Sequence, residues 1–327
     1  MQTCAFRETP PHALLPAVPF RLFARLALGV LIAVNLQCSA GAASSESRQI
    51  ESGGVMRTYW QHIPDHLPGK PAPLVLIFHG SGSDGASMED FTKFSTLADH
   101  HGFIAVYPDA VAANWNDGRA VPGILSQAKN VDDVAFTSAI IEAVSKEHAL
   151  DPKRIYATGF SNGGIFVYLL AEKLTSRFAA IASVSGGIAE PVAPDYKPSM
   201  PLSVFIVHGT KDPLVPYVGG EVDYSHNGRI ISTEDTVKKW ITINGIEDRE
   251  RTGELPDVDP SDHSRVKWTR WTFPKTKTEL LLYTVVGAGH TWPSGPQFLP
   301  ISTIGEVDRD FDGATAIWEF FEKHPKP

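Results

Sequence analysis

Residues 154–174 read RIYATGFSNGGIFVYLLAEKL, and the bend at their centre decides which folds the chain can adopt. Ile155 to Thr158 has the apolar character of the end of a buried strand, and Ile165 to Leu170 that of a helix. Gly159, Ser161 and Gly163 therefore fall on a strand-to-helix turn. G-x-S-x-G in that setting is the pattern of a nucleophile elbow, in which a strained serine lifts its hydroxyl out of the bend while the glycines let backbone pack close. Gly164 adds room, and the helix N-terminus behind Ser161 would aim backbone N–H groups at an oxyanion. A plain Gly/Ser-rich loop is the alternative, and the flanking strand and helix weigh against it.

Outward from the bend, apolar runs and helical patterns alternate. Val55 to Ile63 alternates as an edge strand, and Leu74 to Phe78, within LVLIFHG, is a continuous apolar run suited to a central parallel strand. Met88 to His101 reads as one helix ended by Gly102, FIAVYP as a strand, and Asp109 to Asn130 as a loop. Asp132 or Asp133 would cap a helix running to about His148. Strands follow at Arg154 to Thr158, Phe178 to Val184, Leu202 to Val207, Val266 to Phe273 and Glu279 to Val286. The helices among and after them are Asn162 to Leu174, Thr233 to Ile243 and Ala314 to Lys323. This alternation predicts an α/β fold with a doubly wound, mainly parallel sheet flanked by helices. No internal repeat or linker breaks it, so one catalytic domain over 43–327 is expected.

The first 42 residues differ. Arg21 and Arg25 precede the apolar LALGVLIAVNL, and small residues follow in CSAGAASS, which is the pattern of a secretory signal peptide with cleavage after Ala40 or Ala42. An uncleaved anchor is disfavoured by the shortness of the run. Asn35, Leu36 and Gln37 make a poor lipoprotein site ahead of Cys38. Cleavage would remove both cysteines, Cys4 and Cys38, excluding disulfides, thiolate chemistry and a cysteine metal cluster from the mature chain. It would leave 26 basic and 36 acidic residues out of 29 and 37, a net charge near −10. Such a surface argues against nucleic acid and anionic membrane as partners. A secreted or periplasmic protein without stable membrane insertion is expected.

A serine hydroxyl needs a base to take its proton and a carboxylate to orient that base. The chain order Ser, Asp, His is available: VFIVHGTKDPLVPY sets Asp212 in the loop after one apolar strand, and LLLYTVVGAGHTWPSG sets His290 after another. Both would reach the carboxyl edge of the sheet, where open α/β folds place their sites. Asp223, Asp235, His226 and His263 are rivals in polar stretches without a preceding buried strand. One oxyanion donor would be the N–H of Asn162, the other that of Ser81 or Gly82 in FHGSGSDG. This glycine-rich loop lacks both phosphate-binding patterns, G-x-G-x-x-G and a Gly-Lys-Ser/Thr ending. His79 and His208 read as structural. No H-E-x-x-H spacing occurs, and no metal or cofactor is implied. Trp115 and Trp292 are candidate substrate-binding residues, and Trp115 has equal standing as a core or rim residue.

Together PLVLIFHGSGSDG, NWNDGR, VDDVAFTSAII, DPKRIYATGFSNGG, HGTKDPLVPY, GAGHTWPSG and IWEFFEKHP resemble the secreted esterases of the polyhydroxybutyrate depolymerase and feruloyl esterase type, over nearly all of the chain past the leader. The resemblance implies an α/β-hydrolase fold, with Ser161 as nucleophile, Asp212 as acid, His290 as base and the HGSG loop in the oxyanion hole. Many relatives carry cysteine where Ser81 and Ile246 stand here, so their disulfide is absent. Depolymerases of solid polyester usually append a binding module, which this chain lacks. The resulting expectation is an exported serine esterase acting on hydroxyalkanoate oligomers or polyester, with feruloyl or acetyl-xylan esters as the alternative substrates. Two other readings are a non-catalytic polymer-binding protein and a serine peptidase on the same scaffold.

Overall fold

The computed structural model describes residues 44–67, 69, 71–222, 227–245 and 249–327. The expected leader with Cys4 and Cys38, the rivals Asp223 and His226, and Ile246 lie outside the described residues. In chain order, β1 (Ser44–Ser52) and β2 (Val55–Ile63) are followed by β3 (Ala72–Phe78), α1 (Gly85–Thr92), α2 (Phe94–His101), β4 (Ile104–Pro108), α3 (Leu125–Ala128) and α4 (Asp133–Glu147). Next come β5 (Leu150–Phe160), α5 (Asn162–Lys173), β6 (Ala180–Val184), β7 (Ser203–Gly209), β8 (Gly220–Glu221), β9 (Arg229–Ile230) and α6 (Thr233–Asn244). The chain closes with β10 (Arg249–Glu254), β11 (Arg265–Phe273), β12 (Thr278–Val286), α7 (Ile301–Ile304) and α8 (Gly313–Lys323).

Ten strands make one sheet in the order β1-β2-β4-β3-β5-β6-β7-β12-β11-β10. The run from β4 to β12 is parallel. Antiparallel strands extend it at both ends. Because side chains alternate across a strand, β3 sends Leu74, Leu76 and Phe78 into a core shared with Phe136, Phe166 and Trp240 of α4, α5 and α6. Val75 and Ile77 enter the opposite core with Met88, Phe94 and Trp318 of α1, α2 and α8. Every residue of β3 is buried, which explains why its sequence is a continuous apolar run rather than an alternating one.

Two local expectations are corrected. Val55 to Ile63 is not an edge, because β1 pairs with it along its whole length. The single helix expected over Met88 to His101 is two, since Lys93 adopts φ 59° and ψ 22°, ending α1 and starting α2. Asp84 caps α1 through Ser87 N, and Asp132 caps α4 through Ala135 N. The described residues fall within one compact unit, Ala40–Pro327. Among them, no helix is long and apolar enough to cross a membrane.

Candidate active site

Ser161 stands between β5 and α5 with φ 56° and ψ −120°, a region that non-glycine residues rarely occupy. Its N–H donates to Val184 O at 3.0 Å, and its carbonyl accepts from Ile165 N at 2.9 Å. The backbone is thus held while the side chain makes no capping hydrogen bond. The two glycines of the motif serve close approach rather than unusual dihedrals. A Cβ on Gly159 would lie 2.5 Å from Gly163 backbone, and one on Gly163 would lie 2.2 Å from Phe78 O. The bend therefore sits directly on β3, beside a cavity of about 390 Å³ lined by Ser161, His290, Ser81, Asn162 and Arg119.

Strands β7 and β12 are parallel neighbours, so the loops after them meet. Lys211 N donates to Ala288 O at 2.9 Å. Buried within this junction, His290 Nδ1 donates to Asp212 Oδ2 at 2.8 Å, leaving Nε2 as the ring's other polar atom. Asp212 Oδ1 accepts from Leu214 N at 2.9 Å and Val215 N at 2.8 Å. Burial alone would raise the Asp212 pKa. The charge of His290 and hydrogen bonds from His208 and His290 outweigh burial and hold the carboxyl well below the usual carboxylate range. The imidazole packs on Phe160, centroid to centroid 4.8 Å. Ser161 and His290 line one cavity without a hydrogen bond between them, a looseness common in sites without substrate.

The oxyanion candidates separate. Asn162 opens α5, and Ser81 lines the cavity. Gly82 is corrected: its N–H already donates to Ala113 O at 2.9 Å, so it is engaged in holding its own loop. Both tryptophans are corrected as well. Trp115 is fully buried, stacks on Phe166 at 5.1 Å and donates from Nε1 to His79 O at 2.9 Å. Trp292 is 2% exposed and packs among Phe91, Phe94 and Phe160. Neither lines the cavity, whose apolar wall is instead Val215, Val222, Phe298 and their neighbours. These aromatic rings support the site from within the core.

Of the other histidines, His79 is buried, with Nδ1 donating to Gly80 O and Nε2 accepting from Ala110 N, and burial lowers its pKa. His208 Nε2 donates to Val215 O at 2.8 Å and lies 3.5 Å from Asp212 Oδ2, so it also braces the buried carboxylate. The rivals Asp235 and His263 are surface residues paired with Lys238 and Glu306. Among the described residues, no group of three or more His, Cys, Asp or Glu side chains could hold a metal ion.

Sequence reasoning missed a buried network behind the serine. Asn162 Oδ1 accepts from Trp115 N at 2.8 Å, and its Nδ2 donates to Asp117 Oδ2 at 2.5 Å. Asp117 also accepts from Arg119 Nε at 2.8 Å and from Gln127 Nε2 at 3.0 Å. The same loop is pinned from outside by Asp133, which accepts from Asn116 N and from Arg57. The available signal was the polar cluster NWNDGR beside a predicted site, but the partners Gln127 and Asn162 of Asp117 are 10 and 45 residues away along the chain.

A sequence model of the family described as Esterase PHB depolymerase matches residues 58–194. The chain is 30% identical over 289 residues to NocK of Nocardia uniformis subsp. tsuyamanensis, named as an esterase, covering 85% of this chain and 83% of that one. It is 34% identical over 166 residues to the bifunctional acetylxylan esterase/xylanase of Neocallimastix patriciarum, covering 50% of this chain and 22% of that protein. It is 26% identical over 234 residues to feruloyl esterase B of Piromyces equi, covering 69% and 41%. The match thus spans under half the length of each of the last two relatives. Among solved structures, an acetyl xylan esterase from Aspergillus awamori aligns over 85% of this chain and 99% of its own with TM-score 0.55 and 14% identity. At that identity the likeness is one of fold.

Proposed function

We propose, from the premise that the chain belongs to the Esterase PHB depolymerase family and is a carboxylic-ester hydrolase on an α/β-hydrolase fold, that Ser161 is its nucleophile, His290 its general base and Asp212 the carboxylate that orients the base. Ser161 Oγ attacks the ester carbonyl as His290 Nε2 takes its proton, and the oxyanion rests on the N–H groups of Asn162 and Ser81. His290 returns the proton to the leaving alcohol, and water then releases the acyl group by the same steps in reverse. The observation that carries this reading is the buried His290–Asp212 hydrogen bond of 2.8 Å beside a serine held in a strained bend.

The substrate we propose is a hydroxyalkanoate oligomer or polyester chain, and the enzyme one exported by a leader over 1–42 with a catalytic domain over 43–327. The aliphatic part of the cavity lining, Ile124, Leu214, Val215, Val222 and Leu299, supports a branched aliphatic acyl chain, whereas Phe160 and Phe298 are the rings that an aryl group would meet there. A second reading, hydrolysis of feruloyl or acetyl-xylan esters, is favoured by the names of the Piromyces and Neocallimastix relatives. Measuring kcat/KM on soluble 3-hydroxybutyrate oligomers and on methyl ferulate, with Ser161→Ala as blank, separates them. Preference for ferulate would overturn the polyester reading, and wild-type turnover by Ser161→Ala would overturn the nucleophile.

A further inference from the structure

The cavity beside Ser161 has a mixed lining. Val215, Val222 and Phe298 are apolar, and Arg119, Asn114 and Asn227 are polar. Arg119 is only 4% exposed, and a buried guanidinium is costly unless paired. Asp117 supplies that pairing, accepting from Nε at 2.8 Å and from Nη2 at 2.7 Å, and Asn227 O accepts from Nη1 at 2.7 Å. A guanidinium has five N–H donors in a rigid fork. Those partners engage three, and Arg119 is among the residues that line the cavity. With its charge balanced by Asp117, it suits a neutral oxygen acceptor better than a free anion.

Its place in the site selects the part of the substrate it meets. The leaving alcohol must lie at His290, which returns the proton. Arg119 is tied through Asp117 to Asn162, the residue after the serine and a proposed oxyanion donor. We propose that the acyl chain runs past Arg119, which reads an oxygen acceptor beyond the scissile carbonyl, the 3-oxygen or next ester carbonyl of a hydroxyalkanoate, while the apolar lining takes the methyl branch. This specificity role rests on the Ser161 esterase reading.

The test compares kcat/KM for p-nitrophenyl 3-hydroxybutyrate and p-nitrophenyl butyrate, which share a leaving group and differ by one oxygen. The wild-type enzyme is expected to favour the hydroxy ester by about tenfold or more. Arg119→Lys keeps a positive charge against Asp117 but loses the fork, so it should bring the ratio of the two esters to about one, whatever the change in absolute turnover. A wild-type ratio near one, a ratio unchanged in Arg119→Lys, or an equal loss on both esters overturns the proposal. If the variant does not fold, the wild-type ratio alone decides. Failure of the underlying reading has a different signature, release of p-nitrophenol by Ser161→Ala at the wild-type rate.

Discussion

Replacing Gly163 by alanine tests whether the bend depends on backbone contact between α5 and β3. The added methyl would stand 2.2 Å from Phe78 O, 2.6 Å from Phe78 C and 2.7 Å from His79 O, all rigid backbone atoms, whereas ordinary Cβ contacts begin at 3.4 Å. In a close-packed interior the deficit is relieved only by parting the helix from the strand by about 1 Å. Phe78 leads directly into Gly80 and Ser81 at the cavity, so that separation also moves Ser161 relative to the proposed oxyanion donor. Overpacking of this kind costs about 1–3 kcal/mol, and a misplacement of about 1 Å at reacting groups costs about 10²-fold in rate. The assay is kcat/KM on p-nitrophenyl butyrate alongside thermal unfolding. Gly82→Ala is the control: at φ +77° it strains the backbone, but its Cβ meets nothing within 4 Å. It should cost about 1–2 kcal/mol of stability and little activity. A Gly163→Ala variant with wild-type kcat/KM and melting temperature would refute the argument.

Asp212→Asn should lower kcat by about 10⁴-fold, because an amide facing His290 Nδ1 favours the wrong tautomer; circular dichroism should show an intact fold. Trp115→Phe removes the donor to His79 O and should cost about 1–3 kcal/mol in urea unfolding while leaving the hydroxy-ester preference unchanged; a changed preference would return Trp115 to the substrate. Burial, opposed by the Ser264 hydrogen bond and aided by the Asp310 and Asp262 carboxylates, raises the Asp308 pKa to about 6. A raised folded-state pKa gives stability that is complete below the unfolded value near 3.8 and is lost as pH rises through about 6. Asp308→Asn should therefore be more stable than wild type at pH 7.5 by about 1–3 kcal/mol, with the difference vanishing near pH 4. Chemical unfolding at the two pH values checks the sign.

The elbow and the two loops that follow β7 and β12 were legible because each signal is local: an apolar run that must be buried, then a turn carrying one chemically capable residue. The structure brings the last two of these loops together by setting β7 beside β12. What remained hidden depends on distant partners. Lys93 breaks a helix whose apolar pattern continues through it. Gly82 has the flexibility of an oxyanion loop, yet Ala113 from another loop takes its N–H. Trp115 reads as a site aromatic because it neighbours the site in sequence and space, but Phe78, Phe166 and His79 enclose it. The strand β1 escaped notice because its side chains alternate polar types, and only its pairing with β2 makes it a strand. Asp117, Asn162 and Arg119 show the same limit, since a polar cluster states chemistry but not which of its members meet.

The most direct test of the central claim is intact-protein mass measurement after incubation with a fluorophosphonate, followed by mapping of the modified peptide. One adduct on Ser161, absent from Ser161→Ala and formed far more slowly by His290→Ala, is the predicted result. A wild-type protein that stays unmodified, or carries the adduct on another residue, would contradict the account.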